Sequence, residues 1–265
     1  MKKEFSEAGK AFDRVCRSAS KASAEYLMLQ PGDRVLAAVS GGLDSFVMLE
    51  TLLYLQKRSP FEFTLEAVTF DPGFEGYNLD LIVDYCQQRQ VPHTVKAMDI
   101  PGMLADESGG RFRRPCVRCS RMRRGALYNL ARSLNMNKLA LGHHANDLME
   151  SFMISLMRGQ GLTTMGPNVP ADEAHGDEYD LRIIRPLALV NEKCVKLAAG
   201  MFEFPDAGAC PYKEALELSG DRAWVKRLLA QCAERIPDLD SLMLKSMKKA
   251  ELQWLLDKRY LNDLK

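Results

Sequence analysis

Residues Val35 to Ser45, VLAAVSGGLDS, are an apolar run that breaks into a glycine-rich turn holding a carboxylate and two hydroxyls. The run reads as a buried strand and the turn as an anion-binding loop. Gly41 and Gly42 lack a Cβ, so the backbone there can take positive φ and bring its N–H groups close to a charged oxygen. The following FVMLETLLYLQK places apolar residues at helical spacing, so the loop opens a helix whose N-terminal dipole favours an anion. The glycines alone fit an ordinary turn equally well. The whole pattern Ser-Gly-Gly-x-Asp-Ser after a buried strand is more specific. It is neither a Walker loop, which needs Gly-Lys before Ser or Thr, nor a G-x-G-x-x-G dinucleotide fingerprint.

Strand and helix signals alternate around this loop. Residues 8 to 29 predict a helix ended by Pro31-Gly32. FTLEAVTF, Phe63 to Phe70, predicts a second strand with Asp71 at its carboxyl end, and HTVKAMDI a third after the helical YNLDLIVDYCQQR. Such alternation is the mark of an α/β fold, a Rossmann-like parallel sheet with helices on both faces. Ligands of such sheets bind beyond the carboxyl ends of the strands, which puts Asp71 on the same rim as the loop. A turn role for Asp71 before Pro72-Gly73 fits as well. Residues 101 to 115 read as an exposed loop, and a helix is expected from Ser120 to about Leu134. The strand KLALG, the helix-forming HHANDLMESFMISLMRG, a polar excursion from Thr163 to Asp180 and the strand LRIIRPLAL follow. Asn191 suits a helix cap, and the tail from Ser219 is helical in pattern. The expected division is an N-terminal helix over 1–30, a catalytic domain over 31–218 and a helical extension over 219–265.

The 265 residues, 46% hydrophobic and 27% charged, suffice for one large α/β domain with a small appendage. The N-terminal residues lack the apolar centre of a signal peptide and no run approaches a membrane span, so a cytoplasmic location is expected. In that compartment the seven cysteines read as thiols or metal ligands. A net charge of +1 singles out no partner, but its distribution does. Residues 111–124, RFRRPCVRCSRMRR, hold seven arginines around Cys116 and Cys119. Guanidiniums attract phosphates and stack on bases, which suggests a nucleic-acid partner; a solvated helix face is the bland alternative.

A Cys-x-x-Cys pair fits a metal, a redox dithiol or half a zinc site, and no second pair exists to complete tetrahedral zinc. Cys16, Cys86, Cys194 and Cys232 sit in helical patterns, where cysteine is usually a small hydrophobe. Cys210 stands apart in the loop FPDAGACPYKE. The three candidates Cys116, Cys119 and Cys210 would leave one position of a cubane iron–sulfur cluster open.

Taken together, SGGLDS, the segment from Cys116 to Gly125 (CVRCSRMRRG), LGHHANDLMES, IIRPLALVNEK and the loop of Cys210 resemble the tRNA 2-thiocytidine synthetase family. These are iron–sulfur tRNA thiolases of the pyrophosphate-loop ATP pyrophosphatase superfamily, and the resemblance covers most of the chain. It implies an adenine nucleotide alpha hydrolase-like fold with N- and C-terminal helices. It also implies that Ser40, Gly41, Gly42, Asp44 and Ser45 hold ATP phosphates and magnesium, with Gly142, His143, His144 and Asp147 near the nucleotide. Cys116, Cys119 and Cys210 would hold a 4Fe-4S cluster. Asp44, Asp71 and Asp147 are the candidate catalytic carboxylates. The implied reaction is ATP-dependent thiolation of C2 of a tRNA cytidine, at position 32, with sulfide or a cysteine desulfurase as sulfur source and often a dimeric enzyme. Thiolation or desulfuration of another base such as a (thio)uridine, and a zinc or redox-sensing RNA-binding module, are the alternatives. Leu43 stands where these thiolases often carry Lys. Asn146 replaces the first Asp of His-His-x-Asp-Asp, and Cys210 is followed by Pro-Tyr rather than a second Cys-x-x-Cys.

Overall fold

The structure is a computed structural model that describes residues 6–104, 115–171, 180–208, 210–211, 220–256 and 258–259. Five strands run parallel: β1 (Arg34–Ala38), β2 (Thr64–Asp71), β3 (His93–Ala97), β4 (Lys138–Ala140) and β6 (Arg182–Ile184). A sixth, β5 (Asn168–Pro170), pairs antiparallel with β6 at the edge, and the order across the sheet is β3-β2-β1-β4-β6-β5. β1 is therefore central, with Ala37 in register with Ala67 of β2 on one side and Ala140 of β4 on the other.

The continuous apolar run of β1 follows from burial on both faces. Val35, Ala37 and Val39 point into one core cluster and Leu36 into the opposite one. β4 and β6 alternate likewise, with Ala140 and Ile184 on the first side and Leu139 and Ile183 on the second. The first layer is built by α1 (Glu7–Glu25), α2 (Leu43–Arg58), α3 (Asp80–Gln88) and α7 (Glu192–Ala199), with α1 packed on α7 and α2. Phe12, Val15 and Ala19 of α1 lie in the same cluster as Phe46 and Leu49 of α2. The second layer holds α4 (Ile100–Leu104) and α5 (Pro115–Ser133). α6 (Ala145–Met157) carries α8 (Asp221–Arg235) and α9 (Leu239–Met247) on its outer side.

Three segments differ from the sequence-based expectation. Residues 101–104 are helix rather than loop: 101–103 are exposed as expected, but α4 buries Ile100 and Leu104 in the second cluster, and 105–114 lie outside the described residues. The helix expected from Ser120 begins at Pro115, because proline at a first helical position gives up an N–H that has no intrahelical partner. The polar excursion contains β5, which pairs through its main chain and rests Val169 on the second cluster. Residues 172–179 of that excursion lie outside the described set.

Candidate active site

The chain lays down β1, β2 and β3 on one side of the sheet and then crosses over to β4 on the other side of β1. At such a switch point the loops leaving the two adjacent strands diverge and open a crevice. Here those loops are Val39 to Gly42 after β1 and Leu141 to His144 after β4. Gly142 lies against the first turn of α2: a Cβ built there would stand 3.0 Å from the Asp44 carbonyl oxygen and 3.2 Å from the Ser45 nitrogen. A side chain there would force the two backbones apart by a few tenths of an ångström.

The loop is shaped by its own hydroxyls. Ser45 Oγ donates to the Gly42 carbonyl at 2.6 Å and accepts from the Ser40 N–H at 3.1 Å. Buried Thr69 donates to the Val39 carbonyl at 2.8 Å, fixing the point where β1 ends. Gly41 takes φ +79°, the left-handed region, and a Cβ there would meet Ile82, Ala207 and the Tyr77 hydroxyl at 3.1–3.3 Å. Gly42 caps α2 without a side-chain hydrogen bond, so no cap side chain covers the N–H groups that open the helix, while the Ser45 N–H donates to the Gly42 carbonyl at 3.0 Å. Leu43 projects outward, 40% exposed, so the position that carries Lys in the resembled family is surface here.

Asp44 is half-buried, and burial together with the neighbouring Asp147 and Glu192 raises its carboxyl above the ordinary range, against the pull of His144 and Lys196. His144 caps α6: its N–H donates to Asp147 Oδ2 at 2.9 Å while its Nδ1 accepts from the Asp147 N–H. His143 accepts at Nδ1 from Arg185 Nε, 3.3 Å away, which leaves its proton on Nε2. Burial, then the Arg185 charge, lowers its pKa to about 4, so the ring is neutral at physiological pH. Arg185, itself buried, also donates to the Gly166 carbonyl at 2.5 Å. Asn146, the departure from the double-Asp pattern, accepts from the Glu192 N–H at 2.8 Å and so ties the start of α6 to the start of α7.

Asp71 stands at the carboxyl end of β2, where it accepts from the Gly73 N–H at 3.0 Å, a turn-forming bond that leaves its second oxygen on the rim. Cys119 is half-buried on α5 and packs against the cluster that includes Ala38 and Phe74. Cys116 lies one turn earlier on the same helix, and its side chain is outside the described set. Cys210 is exposed, and the loop before it is anchored at the phosphate loop: the Asn78 N–H donates to the Ala207 carbonyl at 2.8 Å, and Ala207 is one of the groups that crowd Gly41. Cys16 and Cys86 are buried in the first cluster, which pushes their thiols up to about 12 and 11 and makes them packing residues.

The model of the PP-loop domain family matches residues 14–200. The tRNA-cytidine(32) 2-sulfurtransferase of Pelobacter propionicus is 34% identical over 94% of this chain and 90% of its own length. The Geobacter sulfurreducens protein of the same name is 31% identical over 93% of each. The chain belongs to the PP-loop tRNA-cytidine(32) 2-sulfurtransferase family. Among solved structures, the U34-tRNA thiolase NcsA from Methanococcus maripaludis, with its [4Fe-4S] cluster, superposes at a TM-score of 0.70. It covers 90% of this chain and 78% of its own at 22% identity, and so shares the fold. No described helix is long and apolar enough to cross a membrane.

Two sets of site residues were missed in the sequence reading. Arg185 reaches His143 from 42 positions away, and Arg222 of α8 bonds Asp147 and Glu150 across 75 and 72 positions. Only the pattern of a charged residue closing a buried apolar run, Leu181 to Arg185, marked the first. No local pattern marked the second.

Proposed function

We propose that the protein is an ATP-dependent tRNA sulfurtransferase that converts a cytidine, at position 32, to 2-thiocytidine. The observation that carries the reading is the anchoring of the Cys210 loop on Gly41 and Asn78, which brings a thiol-bearing segment to the phosphate loop of a family member. The loop N–H groups and the α2 dipole receive the ATP phosphates. The cytosine C2 oxygen attacks the α-phosphorus, pyrophosphate leaves, and C2 acquires an AMP leaving group. A sulfur nucleophile then adds at C2 and AMP departs, taking the C2 oxygen with it. The protein's contribution is orientation and neutralisation of the charge that develops on pyrophosphate. His143, neutral and with its proton on Nε2, can donate a hydrogen bond but does not act as a cation. The arginines of α5 position the RNA backbone.

Two groups complete the reaction. Among the described residues no three His, Cys, Asp or Glu side chains form a metal cage. Mg2+ is held by one or two carboxylates plus the ATP phosphates, with Asp44 and Asp147 as the candidate carboxylates. For a 4Fe-4S cluster the donors fit in chemistry: Cys116 and Cys119 are one turn apart on a helix, and Cys210 is an exposed third thiol. When bound by three thiolates, such a cluster offers one open iron at which sulfide can be held. Sulfide itself or a cysteine desulfurase is the source, the working compartment is the cytoplasm, and a dimer is the working form.

The test is anaerobic reconstitution with iron and sulfide, followed by ATP, Mg2+ and tRNA, with mass spectrometry of the tRNA nucleosides. The expected product is 2-thiocytidine with AMP and pyrophosphate, and Cys210→Ala should purify folded with its iron lost. Formation of 2-thiouridine, or of no thionucleoside by iron-replete enzyme, overturns the substrate assignment. A zinc-bound, iron-free protein after anaerobic preparation overturns the cluster.

A further inference from the structure

The matched family domain ends at residue 200, yet the phosphate-loop rim is tied to α8, which begins at Asp221. Arg222 places Nη2 3.0 Å from Asp147 Oδ1 and Nε 2.9 Å from Glu150 Oε2, so one guanidinium spans two carboxylates a helical turn apart. One turn on, Lys226 Nζ lies 3.1 Å from Glu192 Oε1, the residue that follows the α7 cap. Glu150 is 5% exposed, and burial raises its carboxyl above the ordinary range with Arg222 opposing. The consequence is electrostatic. A site built to receive a polyphosphate is ringed by Asp44, Asp147, Glu150 and Glu192, and whatever part of that charge Mg2+ does not take up repels it. Within the matched domain Lys196 lies 2.7 Å from Glu192 and buried Arg185 is within electrostatic reach of Asp147.

We propose that α8 completes the nucleotide site: Arg222, with Lys226 beside it, neutralises the carboxylates flanking the phosphate loop and so sets the affinity for the ATP polyphosphate. The inference rests on the reading of the loop as an ATP site. Arg222 is a positioning residue, since it acts through Asp147 and Glu150 rather than on the nucleotide. Its planar fork suits this bridging, which lysine cannot reproduce with one ammonium. Charge complementarity also reaches beyond contact distance, so the field at the loop changes when either cation is removed.

The experiment titrates the reconstituted holoenzyme with Mg2+ and a nonhydrolysable ATP analogue by calorimetry, and measures KM for ATP and kcat with tRNA. Arg222→Gln is expected to weaken analogue binding and raise KM about tenfold or more, with kcat at saturating ATP changed far less. Adding Glu150→Gln to Arg222→Gln removes one of the exposed negative charges and should recover most of that loss. Arg158→Gln breaks another tether of α8, the Arg158–Asp221 pair, without touching the ring, and should leave binding near wild type. Equal analogue binding by wild type and Arg222→Gln overturns the inference. So does a loss that Arg158→Gln reproduces, which would make α8 a docking element only, or a loss that Glu150→Gln fails to relieve. A wild-type holoenzyme that binds no ATP analogue refutes instead the reading of the loop as a nucleotide site.

Discussion

Gly142→Ala tests whether the two crossover loops form one site. The added Cβ would sit 3.0 Å from the Asp44 carbonyl oxygen, 3.1 Å from its carbon and 3.2 Å from the Ser45 nitrogen. Unstrained contacts of a carbon with heavy atoms are about 3.5–4.0 Å, so the loop after β4 and the first turn of α2 must separate by roughly half an ångström. All three obstructing atoms are backbone, and no side chain can rotate away. Overpacking of this kind costs about 1–3 kcal/mol. For a chain of this size each kcal/mol lowers Tm by about 2–4 °C, so a fall of about 2–12 °C is expected. The displaced turn is the one that receives phosphate, and the same energy carried into binding weakens ATP about 5- to 150-fold. Differential scanning calorimetry and titration with an ATP analogue measure both quantities. Gly125→Ala on exposed α5 is the control: its Cβ meets nothing within 4 Å, and alanine in a helix should stabilise by about 0.5–1 kcal/mol. If Gly142→Ala leaves both Tm and ATP affinity unchanged, or if the two variants shift Tm in the same direction, the close approach does not organise the site.

His143, with its pKa lowered from 6.5 to about 4, is charged more readily in the unfolded chain than in the folded one. Its stabilising contribution is therefore complete above about pH 6.5 and lost as pH falls from there toward 4. His143→Gln should flatten that part of the urea-midpoint profile, by on the order of 2–3 kcal/mol at most, and an unchanged profile counts against a buried neutral ring. Asn146→Ala removes the acceptor at the start of α7 and should cost about 1 kcal/mol in urea unfolding, whereas Asn146→Asp keeps an acceptor and should cost far less; equal losses would show that the Glu192 N–H is not the partner that matters.

How much of this could be read in advance depended on whether the cause was local. β1 declared itself because Leu36 and its neighbours Val35 and Ala37 are buried on opposite faces, which forces successive residues in the middle of the strand to be apolar. The loop declared itself because positive φ at Gly41, with Ile82, Ala207 and Tyr77 crowding the place a Cβ would take, demands glycine there. β5 did not: Asn168, Val169 and Pro170 pair through their main chain, and only Val169 has packing that a hydrophobic pattern could reveal. α4 was hidden for a similar reason, since two buried residues, Ile100 and Leu104, hold a single turn of helix that contains both a proline and a glycine. The strand order was also out of reach, because the neighbour of β1 is decided by the crossover to β4 and not by any residue within β1.

The same distinction separates the parts of the candidate site. Histidine and carboxylate identities at residues 143–147 pointed to chemistry, but their geometry assigns different tasks within four residues. His144 turns inward as a cap, His143 is held neutral by burial and by the Arg185 charge, and Asn146 gives up a charge to become the acceptor that joins α6 to α7. A carboxylate at 146 would add a fifth negative group to a rim that already holds Asp44, Asp147, Glu150 and Glu192. The amide keeps the hydrogen bond to the Glu192 N–H without that charge. The departure at 146 and the arginine at 222 thus act in the same direction, since both lower the net negative charge around a loop whose work is to receive phosphate.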